Sequence, residues 1–152
     1  MESITVRRDD YEISSDRKRL DRSFIGAFLA DVSYWARDIP REVVDRSIEH
    51  SLCFGVYHRD GPQVGFARAI TDCATFARLA DIFIEESHRG RGLGKWLVET
   101  VLAHPGLAGL RMISLGTQDA HALYERYGFV RVADTALAGT LMVIHCPDVY
   151  KR

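Results

Sequence analysis

Long apolar runs are absent from this 152-residue sequence. No stretch approaches the roughly 18 consecutive apolar residues of a membrane-spanning helix. The first ten residues, with Arg7, Arg8, Asp9 and Asp10 among them, hold no apolar stretch of secretory-signal length. A cytoplasmic protein without a membrane partner is therefore expected. Cysteine is scarce: Cys53, Cys73 and Cys146 are three in number and widely spaced, which excludes a disulfide framework and a zinc cluster. No metal is expected, and Cys53 and Cys146, set in apolar text, read as small buried side chains. Neither sign of charge is in excess, since 20 Lys and Arg against 21 Asp and Glu leave a formal charge of −1. The basic groups Arg7-Arg8 and Arg17-Lys18-Arg19 are interleaved with Asp9, Asp10, Asp16 and Asp21, so no nucleic-acid partner is expected. Internal repeats and Pro-, Gly- or Ser-rich linkers are also missing, and residues 1–152 read as a single domain.

What is present is an ordinary globular composition, 47% hydrophobic and 27% charged. A short first strand is expected over 11–14. Leu20, Phe24, Ala27, Phe28 and Val32 recur at helical spacing and predict a helix over 20–35. Pro40 opens a second helix that runs to about residue 50. The period then changes to two, predicting strands over 52–58, 63–71 and 75–85 as an antiparallel meander. The strongest helix covers 91–104 and stops at Pro105-Gly106. A short strand over 111–115, a helix over 117–127 closed by Gly128, and strands over 129–132 and 141–145 complete the pattern. The fold class predicted is α+β (mixed α/β): a sheet of six to seven strands, parallel in its middle, flanked by about four helices.

Between the third strand of the meander and the strongest helix lies Arg89-Gly90-Arg91-Gly92-Leu93-Gly94-Lys95. A glycine-rich turn at a helix N-terminus exposes backbone N–H groups that have no intrahelical partner. Together with the helix dipole they form an anion site. The phosphate-binding loop of nucleotide hydrolases is excluded, because Arg89 and Trp96 stand where its first glycine and its hydroxyl belong. The dinucleotide fingerprint fails too, with Lys95 or Leu97 in place of its third glycine.

The sequence spells Arg-x-x-Gly-x-Gly at Arg89, Gly92 and Gly94, preceded by the apolar strand end Ile82-Phe83-Ile84. Downstream come Ala120, Leu123-Tyr124 and Gly128-Phe129. In this order and spacing the two motifs, over roughly residues 76–133, resemble those of the GNAT superfamily of N-acetyltransferases. The resemblance implies a GNAT-like fold and acetyl-CoA as co-substrate. Its pyrophosphate would be held by Arg89, Gly90, Arg91, Gly92, Leu93, Gly94 and Lys95, and Ile82, Phe83 and Ile84 would lie against the rest of it. Tyr124 is implied as the group that meets the departing thiolate. The family often has Asn where this chain has Thr117; the position is carried over as cofactor-binding, and a Thr there can still cap the helix.

The implied reaction is direct attack of a primary amine on the thioester, with no covalent enzyme intermediate. Alternatives are a longer acyl-CoA, or a CoA-binding regulatory or neutralising module without turnover. Asp81, a charge inside an apolar strand, is the best candidate for the base; an ion pair with Arg68 or Arg78 accounts for it equally well. His121 and Asp72 are further contenders. The segment between the first two helices borders the acceptor site in the family, and it supplies Tyr34, Trp35 and Arg37 as substrate-binding candidates. A small-molecule, amino-acid or peptide amine is the expected partner, with a homodimer left open.

Overall fold

Alternating apolar residues between turn signals build a meander. A computed structural model describes residues 1–151. Strands β1 (Thr5–Arg8), β2 (Tyr11–Ser14), β3 (Leu52–His58), β4 (Gln63–Thr71) and β5 (Phe76–Ile84) pair antiparallel in chain order, and β6 (Met112–Ser114) joins β5 in parallel. Helix α1 (Arg22–Ala27) runs into one π turn (Phe28–Val32), and α2 is Arg41–Glu49. Helix α3 (Leu93–Leu102) crosses over between β5 and β6, and α4 (His121–Glu125) follows β6.

The central strands of the sheet are buried on both faces. One face carries Phe54, Val56, Ala67 and Leu79 against Leu93, Leu97 and Val101 of α3. The other carries Cys53, Phe66 and Phe83 against Ile25 and Leu29 of the first helix and Val44 and Ile48 of α2. Among the described residues no helix is long and apolar enough to cross a membrane, and no cluster of His, Cys, Asp and Glu is placed to hold a metal ion.

The expected mixed sheet and four helices are present, with differences at the ends. β1 is an additional strand. The first helix stops at Val32 because the Ser33 hydroxyl donates to the Leu29 carbonyl and accepts from the Ala36 N–H, turning the chain out of the helix. The helix expected over 117–127 shrinks to α4, since the Thr117 hydroxyl caps the Ala120 N–H and delays its start. The closing strands over 129–132 and 141–145 do not form: single 3-10 turns at Val132–Asp134 and Ala136–Gly139 lead into an irregular arm. With no strand beyond β6 among the described residues, the parallel pair lies at one end of the sheet rather than in its middle. Cys146, on this arm, is exposed and Cys53 is buried.

His104, two residues past the end of α3, caps the 3-10 turn Pro105–Leu107 and is 1% exposed. Its Nδ1 accepts from the Gly106 N–H at 3.0 Å and its ring meets Phe54 edge-on at 5.6 Å. Its proton therefore sits on Nε2, which is buried without a partner. Burial holds the His104 pKa below its ordinary value. The unfolded chain then binds the extra proton first, near pH 6.5. Stability from this residue is complete above that pH and declines as pH falls. Thermal melts between pH 7 and pH 5 are expected to show a steeper decline for the wild type than for His104→Asn, which retains an acceptor for Gly106. Equal slopes would show that His104 tolerates its charge.

Candidate active site

β5 and β6 are paired only where Phe76–Arg78 meet Met112–Ser114. Beyond Arg78 the two strands part, so the edge of β5 from Leu79 to Ile84 has no strand beside it on that side among the described residues. A cleft of about 940 Å³ opens in the gap, within the usual range of roughly 300–1,000 Å³ for a small-molecule site. Ile82, Phe83 and Ile84 form one wall, and Leu115, Gly116 and Thr117 the opposite one.

The β5 wall carries a bulge. Phe66 pairs with Phe83 but Arg68 pairs with Ala80, so Ala67 faces both Asp81 and Ile82. Asp81 takes up the extra residue in a left-handed conformation, φ 55°, which Asp tolerates better than most side chains. The bulge reverses the faces of the strand: Ala77 and Leu79 pack on the α3 side, whereas Phe83 packs on the side of α1 and α2. Asp81 is thereby aimed at the cleft while remaining 9% exposed. Its Oδ2 accepts from Arg68 Nε and its Oδ1 from Trp35 Nε1, each at 2.9 Å.

At the end of β5 the Arg89 Nε donates to the Ile84 carbonyl at 2.9 Å, fixing the start of the glycine loop. Gly90 and Gly92 have φ of 80° and 76°, values that β-carbons disfavour. The space above Gly90, Gly92 and Gly94 is open. No side chain caps α3, so its first N–H groups face the cleft unpartnered. Arg89, Gly90, Gly92, Leu93 and Gly94 line the cleft; Arg91 and Lys95 are exposed beside the loop, outside the lining.

Tyr124, 9% exposed, closes the cleft opposite β5 and packs edge-on against Phe129 at 5.8 Å. Its hydroxyl has no hydrogen-bond partner among the described residues. Burial first, then the neighbouring Tyr34 and Asp119, raise its pKa. It therefore stays protonated and is a hydrogen-bond donor. Thr117 lines the same wall.

The connection between α1 and α2 supplies the remaining wall. Phe28 stacks on Phe83 at 3.7 Å, Trp35 stands on Asp81, and Tyr34 meets Trp35 edge-on at 5.0 Å. The Tyr34 oxygen accepts from the Gln118 N–H at 3.1 Å, bridging the two sides of the cleft. Tyr34 and Trp35 are thus placed at the site. Arg37 is not: it is exposed, donates to the Asp31 carbonyl and does not line the cleft. Asp72 and His121 also lie outside the lining. The Asp72 carboxylate accepts from the Thr75 hydroxyl and from the Thr75 and Ala74 N–H groups, bonds that organise the β4–β5 turn and lower its pKa.

Two charged residues in the cleft are not site candidates in the sequence, which offers Arg78 only as an ion-pair partner for Asp81. Arg78, exposed on β5, reaches across the splay to Gly116 and has no salt bridge among the described residues, unlike Arg68. Asp119 is exposed on the Tyr124 side. Neither stands out in one dimension, since a charge at a strand start or before a short helix is ordinary surface text.

The description "Acetyltransferase (GNAT) domain" matches residues 49–131. A Gibberella zeae protein provisionally named an acetyltransferase is 34% identical over 138 residues, 78% of each chain. A crystal structure from Xanthomonas campestris pv. campestris, provisionally assigned to the GNAT acetyltransferases, is 47% identical; it superposes with a TM-score of 0.89 over 93% of this chain and 97% of that one. A GNAT acetyltransferase from Elizabethkingia anophelis, solved with acetyl-CoA bound, shares the fold at 17% identity and a TM-score of 0.60, covering 81% of this chain and 78% of that one. On the family match and the shared fold, the chain belongs to the GNAT acetyltransferase family.

Proposed function

We propose that this acetyltransferase moves the acetyl group of acetyl-CoA to the primary amine of a small molecule, amino acid or peptide that also carries an anionic group. The observation that carries the reading is the continuity of one cleft from the open glycine loop, along the unpaired edge of β5, to Tyr124 and the aromatic wall. The residues fit the co-substrate. The N–H groups of the loop and of the α3 N-terminus receive a pyrophosphate without a β-carbon in the way. The free edge of β5 offers backbone N–H groups to an amide-containing chain and to a thioester oxygen. Acetyl-CoA supplies the activated acyl group.

The amine nitrogen forms the new C–N bond as the C–S bond breaks; starting from the ammonium it gives up two protons in all, one before attack and one once the C–N bond has formed, of which one ends on the departing thiolate as the free thiol and the other goes to solvent. A lysine-like ammonium has a pKa of about 10.4, so presenting it neutral at pH 7 costs roughly 4.6 kcal/mol. Asp119, exposed beside Tyr124, draws the ammonium, and a water takes its proton. Tyr124 donates a hydrogen bond to the departing thiolate. Its raised pKa keeps full proton transfer uphill, because an unperturbed thiol sits at about 8.5. Asp81, with both oxygens already accepting and Arg68 beside it, acts as the positioning residue that holds Trp35 rather than as the base. The Trp35 ring face receives the cationic end of the acceptor.

Arg78 takes the role that the sequence suggested for Arg37: a guanidinium in the cleft that pairs an anionic group on the acceptor. Removing such a pair costs about 1.5–3 kcal/mol, which is roughly a 10- to 150-fold rise in KM. Arg78→Ala is expected to raise KM by that factor for carboxylate-bearing amines, to leave simple alkylamines unaffected, and to leave acetyl-CoA affinity unchanged by calorimetry. An equal effect on charged and uncharged acceptors, or weakened acetyl-CoA binding, would remove Arg78 from acceptor recognition.

A further inference from the structure

The Tyr124 hydroxyl and the proposed pyrophosphate site are carried by different helices. The glycine loop and the first turn of α3 form the site, whereas Tyr124 belongs to α4. A reacting group held to within roughly 0.5 Å of its productive position needs neighbours that lock it there. α4 provides little of this by itself. It has five residues, and Tyr124 is the only one of them that is buried. A helix so short has no stability of its own.

Tyr127 ties α4 to α3. It stands one turn after Tyr124, and its N–H bonds to the Tyr124 carbonyl at 2.9 Å. Its half-buried side chain reaches α3, where the hydroxyl donates to Glu99 Oε1 at 2.9 Å and lies 3.4 Å from the Lys95 carbonyl. The single hydroxyl proton goes to Glu99, the nearer and charged acceptor. Glu99 is held in turn. Its Oε2 faces Arg8 Nη2 of β1 at 3.7 Å, and the Arg8 guanidinium rests 5.0 Å over the ring of Trp96. Trp96 is buried in the core beneath α3. A line of contacts therefore runs from a core anchor through Arg8 and Glu99 to a residue three positions from Tyr124. The Arg8 and Glu99 side chains are about half exposed, and ion pairs of that kind add little to stability. None of Arg8, Glu99 and Tyr127 lines the cleft.

We infer that the Tyr127–Glu99 hydrogen bond is a strut that sets the Tyr124 hydroxyl at the sulfur of the cofactor, with Arg8 orienting Glu99. The inference rests on Tyr124 being the donor to the departing thiolate. Tyr127 and Glu99 are then positioning residues that act through Tyr124. The strut ends beside Lys95, in the first turn of α3, so it fixes Tyr124 against the same turn that receives the pyrophosphate. A displacement of about 1 Å at a reacting group costs up to about 100-fold in rate.

Steady-state thiol release by single and double variants tests this. Tyr127→Phe is expected to lower kcat about 10- to 100-fold, with the acceptor KM, the calorimetric acetyl-CoA affinity and the melting temperature close to those of the wild type. Glu99→Ala should match it. Glu99→Gln keeps an oxygen for the hydroxyl and should retain most of the kcat that Glu99→Ala loses. In a Tyr124→Phe background Tyr127→Phe should have no further effect, because the hydroxyl it positions is gone. A wild-type kcat in Tyr127→Phe would overturn the inference. So would a fall that multiplies in full onto that of Tyr124→Phe, or one that follows a loss of melting temperature. An unchanged kcat in Tyr124→Phe alone would overturn the donor role itself, and the strut with it.

Discussion

Tyr124→Phe is expected to lower kcat by about 100- to 1,000-fold, the usual effect of removing one donor to a charge that develops in the transition state. The substitution removes one oxygen from a side chain that lines the cleft and whose hydroxyl bonds no group among the described residues, so neither packing nor acetyl-CoA affinity should change appreciably. The ring still meets Phe129 edge-on. Steady-state kinetics on the best amine of a panel, with calorimetric titration of acetyl-CoA, separate the two roles this tyrosine could have. A fall in kcat at constant affinity assigns the hydroxyl to the thiolate. An unchanged kcat together with a lower melting temperature would make Tyr124 a packing residue of α4.

Asp81→Asn is expected to have the largest effect on stability. The Arg68 side chain that pairs with Asp81 is only 15% exposed, and the Asp81 side chain 8%. Removing the carboxylate leaves a guanidinium buried without a counter-charge, which costs about 3–5 kcal/mol. For a chain of this length that lowers Tm by roughly 6–20 °C. Asn retains the left-handed backbone and an oxygen for Trp35, so the acceptor wall stays in place. Adding Arg68→Met should restore much of the loss, since the double variant buries no charge, and the non-additivity measures the pair. A melting temperature that stays put while activity disappears and the pH profile loses its limb would instead make Asp81 the base.

These two residues also mark how far the sequence could be read. β3 and β4 were legible to the residue because both carry dense apolar text and the turn residues Asp60, Gly61 and Pro62 separate them. The glycine loop was legible because what opens its backbone to the cleft is the lack of side chains, and glycines before a helix are visible in one dimension. Asp81 was visible as a charge in apolar text, yet its bulge was not, because a left-handed residue inside a strand is set by the partner strand's register. Trp35 and Asp81 were separate candidates in one dimension and are a single hydrogen-bonded unit in three. Arg37 and Arg78 show the opposite error: loop composition pointed to the first, while only the splay of β5 from β6 reveals the second. β1 escaped notice because it is charged and mostly exposed. The strand text of 141–145 was legible as such, but a strand requires a neighbour, and none lies beside it among the described residues.

Amine-dependent release of free thiol from acetyl-CoA by the wild-type protein is the most direct test of the central claim. Across a panel of alkylamines, polyamines, amino acids and short peptides, thiol release is expected only when an amine is present. The fastest rates should fall on amines that bear a carboxylate or another anionic group, and the acetylated amine should form in a one-to-one ratio with thiol. Tight binding of acetyl-CoA with no thiol release above background for any amine would contradict the account and leave the cleft a binding site without turnover.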